Sequence, residues 1–239
     1  MGNRAFITNK DMEIGVYLHW NGGRDSVEAF LKYCELRGFR SGDYGIARFC
    51  QVVGNFFGGG LSIGVEPFRY WTMGDDNGLY VVDDWKIVGR YQAAYRNNET
   101  GEVISQGEWY GLDRDDYLDE SGNDRYSAVL APFTGPEQME YDLMEMLRSI
   151  DDAQPESERL GKVLDCQEVP TRTLKVGDII YKPDYAGHYE PRMVVGFWPE
   201  TDYYKEYFGL PITDEYDRTN VNAVVSSETA FLYSGGVAC

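Results

Sequence analysis

Two stretches of this sequence hold the residue types from which chemistry is usually built. The first is GLDRDDYLDESGNDRY, residues 111–126, which sets Asp113, Asp115, Asp116, Asp119, Glu120 and Asp124 beside Tyr117 and Tyr126. The second is YLHWNGGRDSVEAF, residues 17–30, where a β-rich run meets Gly22 and Gly23 and then a helical pattern. A row of carboxylates can hold calcium, do general acid–base work or face a cationic partner. A strand running through glycines into a helix start can hold an anion or an acid–base pair.

Spacing separates these uses. An EF-hand loop needs glycine at its sixth position and a bidentate glutamate at its twelfth. Counted from Asp119, those positions are Asp124 and Leu130; counted from Asp113, the sixth is Leu118. Paired catalytic carboxylates need burial to drive their pKa values apart, and a run this hydrophilic stays solvated. What remains is a surface. Residues 113–158 carry 14 acids against 3 bases, while the other residues carry 26 against 19. The charge is therefore concentrated. A solvated loop and helix face would account for it; so would an acidic docking surface with Tyr117 and Tyr126 as flat contacts. A helix expected over residues 136–150 would add Glu140, Asp142 and Glu145 along one rigid edge, spaced so that they could imitate the phosphates of a duplex. Residues 199–217 form a second acidic patch, with six acids and one lysine interleaved with aromatics.

In the second stretch His19 could act as acid or base with Asp25 to orient it, and Asn21, Gly22, Gly23 and Arg24 would complete a ligand site. The pattern is neither GxxxxGK[ST] nor GxGxxG. The competing reading is a tight structural turn. Asp25 is an N-cap candidate with Glu28 at capping-box spacing, and His19 and Trp20 would point to opposite faces of a strand, one of them into the core.

The formal net charge of −18 opposes binding to nucleic acid or to anionic membrane and favours basic partners. The four cysteines form no CxxC pair, and only two histidines are present, so no structural zinc is expected. Cys34 and Cys50 fall on apolar helix faces and read as reduced, buried thiols. There is no GxSxG and no HExxH; neither metal nor cofactor is expected. The first fifteen residues lack an apolar signal core, Phe6 stands where a myristoylation signal needs Ser or Thr, and no apolar run approaches a membrane span. A cytoplasmic protein is the expectation.

The elements that must position these residues read as follows. RAFIT (4–8) and IGVYLHW (14–20) suggest a hairpin. Val27, Phe30, Leu31 and Cys34 make one face of a first helix. Ile46, Cys50, Val53 and Phe57 make one face of a second, over about 43–57. Strand patterns follow at 61–68, 78–84, 85–95 and 102–111, with NNETG (97–101) as a turn. Met139, Leu143, Met146, Leu147 and Ile150 line the helix expected over 136–150. Residues 151–162 read as a linker. Beyond it, TLKVGDIIYKP, RMVVGFWP and SSETAFLY are β segments. The fold class is α+β: a domain over 1–155 with a mixed or antiparallel sheet and about three helices, then a small β-rich, barrel-like domain over 163–239.

The words GNRAFIT, GVYLHWNGGRDSVEAFL and YGIARFCQVVGNFFGG, covering about residues 2–65, resemble a group of accessory proteins carried by prophages and conjugative elements of gut bacteria. The resemblance implies a mobile-element accessory protein and transfers no catalytic residue. Small acidic proteins of such elements are similar to inhibitors of host defence, including nucleic-acid mimics aimed at restriction or CRISPR enzymes. The leading expectation is thus a non-enzymatic protein that binds a basic, nucleic-acid-handling partner. The alternatives are a small-ligand enzyme or sensor at the HWNGGRD turn, and an assembly protein whose small β domain pairs with copies of itself.

Overall fold

A computed structural model of the chain describes residues 3–68, 76–119, 121–183, 188–199, 207–215 and 224–233, with backbone only for Leu61, Arg114 and Asp115. The chain divides into two compact units, Met1–Glu35 with Phe39–Ala153, and Leu36–Gly38 with Gln154–Cys239.

The first unit is built on a mixed sheet. β1 (Ala5–Asn9) and β2 (Ile14–Leu18) form the expected antiparallel hairpin. Two helices follow, α1 (Arg24–Leu36) and α2 (Asp43–Phe56), then β3 (Ile63–Pro67) on the far side of β2. β4 (Leu79–Asp83) returns to lie parallel to β1, the one parallel pairing among the described strands. A parallel return needs a long crossover, and α1 and α2 lie within the chain between β1 and β4. β5 (Lys86–Asn97) is long enough to pair with three strands: β4, β6 (Val103–Ser105) and β7 (Tyr126–Pro132).

The α1 face is the one the periodicity predicts: Val27, Phe30, Leu31 and Cys34 are all buried. The Phe30 ring meets those of Phe49, Phe56 and Phe57 at centroid distances of 6.3, 5.2 and 6.4 Å. The α2 face is rotated from the expected one. Gly45, Phe49, Val52 and Val53 are buried, whereas Ile46, Cys50 and Phe57 are half-buried. Gly45 is the reason: a side chain there would meet the Trp85 ring at 2.8 Å, so the helix turns its smallest residue toward the indole. A glycine contributes nothing to an apolar periodicity.

Two further expectations are corrected. The segment 102–111 is not one strand but β6 followed by α3 (Gln106–Tyr110), because Ser105 and Glu108 form a reciprocal capping box that starts a helix. The third main helix is not 136–150 but α5 (Leu143–Ala153). Asp142 caps it, accepting from the Met144 and Glu145 N–H groups at 2.9 and 3.2 Å, so Met139 and Leu143 stay exposed. Within the span read as a linker lie short 3-10 turns at Glu156–Glu158 and Gly161–Asp165.

The second unit is an antiparallel sheet ordered β11-β10-β9-β12-β8, from β8 (Gln167–Pro170), β9 (Ile179–Pro183), β10 (Tyr189–Phe197), β11 (Pro211–Thr213) and β12 (Thr229–Leu232). It is an open sheet with two ends, not a closed barrel. Its core is Val169, Leu174, Ile180, Val194, Val225 and Ala230. No described helix is long and apolar enough to cross a membrane. Cys34, Cys50 and Cys166 are free thiols, and burial pushes the Cys166 thiol up to about 11.

Candidate functional site

The acidic stretch folds around a tryptophan. Trp109, on α3, stacks on Tyr95 of β5 at 4.2 Å with rings within 8° of parallel. Tyr110 and Tyr117 flank it at 5.3 and 6.1 Å. Tyr117 closes the one-turn α4 (Arg114–Tyr117), and its carbonyl accepts the Arg125 N–H at 2.7 Å. That bond closes the loop 118–124 and leads the chain into β7. The loop is held from within by Asp119. Its carboxylate accepts the N–H groups of Ser121 and Asn123, each at 2.8 Å, and the Asn123 amide at 3.1 Å.

Those bonds, the Asn123 backbone N–H first, hold the Asp119 carboxyl below the usual aspartate range. A folded value below the unfolded one stabilises the loop above the unfolded value and loses that effect as pH falls through the folded value. The Ser121 and Asn123 amide signals are therefore expected to shift in acid with a midpoint below that of an unstructured aspartate. An NMR pH titration measures it, and a midpoint in the ordinary range would remove Asp119 as the organiser.

The remaining residues of the expected surface separate into groups. Asp113, Asp116 and Asp124 are exposed around the Trp109 cluster, with Tyr117 and Tyr126 half-buried. The Asp116 carboxylate accepts the Asp113 N–H at 3.2 Å. The Asp115 side chain and Glu120 lie outside the described residues. Glu140, Asp142 and Glu145 are exposed too, but β7 stands between them and the loop; its span from Tyr126 to Pro132 is about 20 Å. Glu140 and Asp142 precede α5 instead of riding on it, and Asp142 is spent as its cap. Glu137, next to them, is neutralised by Arg90 and Arg24. Among the described residues, no ion pair involves Glu108, Asp113, Asp116 or Asp124. Four of the six acids of the 199–217 patch lie outside the described residues.

The HWNGGRD turn is consumed by packing. The His19 Nδ1 meets the Tyr17 hydroxyl at 2.9 Å, and its ring stands edge-on to Trp20 at 4.8 Å. Asn21 holds a positive φ of 53°. The Gly22 carbonyl accepts the Tyr80 hydroxyl at 3.2 Å, and a side chain on Gly22 would strike Arg4 and Ala5. Arg24 bonds Glu28 at 2.7 Å, which raises its pKa further. Asp25 sits inside the first turn of α1, not at its cap, and is 7% exposed. One of its oxygens accepts the Ser26 N–H at 2.6 Å; the other accepts Glu140 and Tyr141 N–H groups at 2.5 and 2.8 Å. The carboxylate thus ties α1 to the segment that leads into α5. His19 and Asp25 share no hydrogen bond in this arrangement, and each has other partners.

No protein-family model, no curated protein and no solved structure matches this chain. The residues must therefore carry the functional argument by themselves. Among the described residues, no group of three or more His, Cys, Asp or Glu could hold a metal ion.

Sequence reading missed one concave feature. A cavity of about 180 Å³ opens at the start of α2, between the β1–β2 turn and the β4–β5 hairpin. That hairpin turns on Asp84 and Trp85, at φ 47° and 60°. Two successive positive values make a type I′ turn, which favours Asn-Gly and strains a bulky residue. Burial of the Trp85 ring and its N–H bond to the Phe39 carbonyl, 2.8 Å, hold it there. The dipeptide Asp84-Trp85 carries no turn signal in sequence, so the cavity it walls was not legible.

Proposed function

We propose that this chain is a non-enzymatic, cytoplasmic binding protein whose 105–126 surface takes a basic partner. The observation that supports this is the combination at one place of an anchored aromatic cluster and carboxylates that form no ion pair among the described residues. Tyr110 is 69% exposed beside Trp109, with Asp113, Asp116 and Asp124 around it. Rigid aromatic anchors with charge at the rim are the anatomy of a protein interface. The partner is a protein whose lysine- and arginine-rich groove handles nucleic acid, such as a restriction or CRISPR complex, and the acidic loop occupies the place of its phosphates. Of the two acidic groups, the loop is the one that fits this role, because the acids near α5 are partly spent on Arg90, Arg24 and the helix cap.

Long-range attraction speeds encounter and makes the affinity fall with salt. Immobilised chain is expected to capture the partner from host lysate at low salt and release it at high salt or to added duplex DNA. The triple variant Asp113→Lys, Asp124→Lys and Tyr110→Ala alters only exposed side chains and is expected to weaken binding by about a hundredfold or more. A partner held equally by the triple variant, or indifferent to salt and duplex, would overturn the reading.

A further inference from the structure

We propose that the cavity at the start of α2 is a binding site for a small organic cation: a compact apolar body carrying a primary ammonium or amidinium. The site is separate from the 105–126 surface and does not depend on its role. Its walls are apolar, with Ile7, Phe49 and Trp85 buried around it. A volume of about 180 Å³ suits one ring with a short arm. Its polar edge is acidic. Asp11, Asp43, Asp83 and Asp84 line it against a single base, Lys10, which is 3.3 Å from Asp83.

The start of α2 argues for the opposite sign of ligand, and the two effects must be weighed. Gly42, at φ 73°, gives the helix no side-chain cap, so its N-terminal pole carries a partial positive charge of about half a unit. Asp43 in the first turn already answers that pole. With Lys10 set against Asp83 and Asp43 against the pole, the charges of Asp11 and Asp84 remain, and an anion would meet both. A cation has the larger field on its side.

Two local features fit the same ligand. The Asn9 amide donates to Asp43 at 3.0 Å, while its carbonyl oxygen is shut from solvent with no donor. Asn9 lines the cavity, and a ligand N–H that reached this oxygen would supply the donor it lacks. Trp85 is held in a strained backbone conformation that sets its ring in the wall, and strain of this kind persists where the surroundings enforce it.

Benzylamine, benzyl alcohol and benzoate are the probes, since they share a ring and differ in charge. In NMR titrations of the full chain, benzylamine is expected to shift the Trp85 indole N–H and Asn9 side-chain signals saturably. Benzyl alcohol should bind at least about tenfold more weakly, the scale of one charge-assisted hydrogen bond, and benzoate should give no shift. Ile46→Phe, which fills the cavity from α2, should abolish the benzylamine response. Should that variant not fold, Asp43→Asn carries the test, with an expected loss of about tenfold for benzylamine and none for benzyl alcohol. No benzylamine response in the unsubstituted chain, equal binding of the alcohol, or a response that survives in Ile46→Phe would each overturn the proposal.

Discussion

Asp25→Ala is expected to destabilise the first unit by about 3–4 kcal/mol, since it leaves Ser26, Glu140 and Tyr141 N–H groups without their acceptor. Hydrogen bonds to a charged group are worth about 1.5–3 kcal/mol each, and three on one carboxylate add less than fully. Asp25→Asn keeps the shape and one acceptor oxygen but turns an amide NH₂ toward donors, so it should cost about half as much. Urea unfolding gives the total. Hydrogen exchange gives the location: in Asp25→Ala the Glu140 and Tyr141 amides should lose protection before the strands of the sheet do. A loss under about 1 kcal/mol would mean that the 138–141 segment is held by something else.

Phe30→Ala is expected to cost about 3–5 kcal/mol, the range for deleting a buried aromatic ring. Phe30 is fully buried and touches the rings of Phe49, Phe56 and Phe57, so truncation opens a cavity between α1 and the middle and C-terminal end of α2. Phe30→Leu retains most of the volume and should cost about 1–1.5 kcal/mol. The comparison separates lost volume from lost ring contacts, and chemical denaturation of both variants reads it. If the two variants proved equally damaging, edge-to-face geometry and not packing volume would be the dominant contribution at this site.

The fold was legible where one signal stood alone. The α1 face, the β1–β2 hairpin and the strands β4 and β5 follow from apolar periodicity, because nothing local competes with it. It failed where a polar residue had a tertiary task. Asp142 reads as part of a helix in a period count but is the residue that starts it. Asp151 reads as the first residue of a linker, yet it is buried on α5 and accepts the Tyr33 hydroxyl at 2.6 Å. A carboxylate reads as solvent-facing until its partner, far off in the chain, is known. The capping box at Ser105 and Glu108 is a signal that the sequence does contain, and it marks α3 correctly once the strand pattern is set aside.

The candidate site was half legible. Charge concentration pointed to residues 113–158, but only the fold shows Trp109 stacked on Tyr95 and the strand β7 that separates the loop acids from those near α5 in the chain. The residues of the HWNGGRD turn drew notice because glycines beside charged groups resemble a ligand site. The same composition serves close backbone packing: Gly22 lies against Arg4 and Ala5, and Gly23 against Asp25 and Gln138. The cavity at α2 gave no sequence signal, since its lining comes from four separated segments whose meeting is a property of the sheet.

The bond from Asp25 to the Glu140 N–H spans 115 residues. During synthesis at about 5–20 residues per second, α1 therefore waits roughly 6 to 23 s on the ribosome before its carboxylate can find that donor. Tyr33 waits slightly longer for Asp151. Throughout that interval Asp25 and Tyr33, both buried in the finished fold, belong to a nascent chain whose closing piece is not yet made, which is when a chaperone at the ribosome would have most to hold.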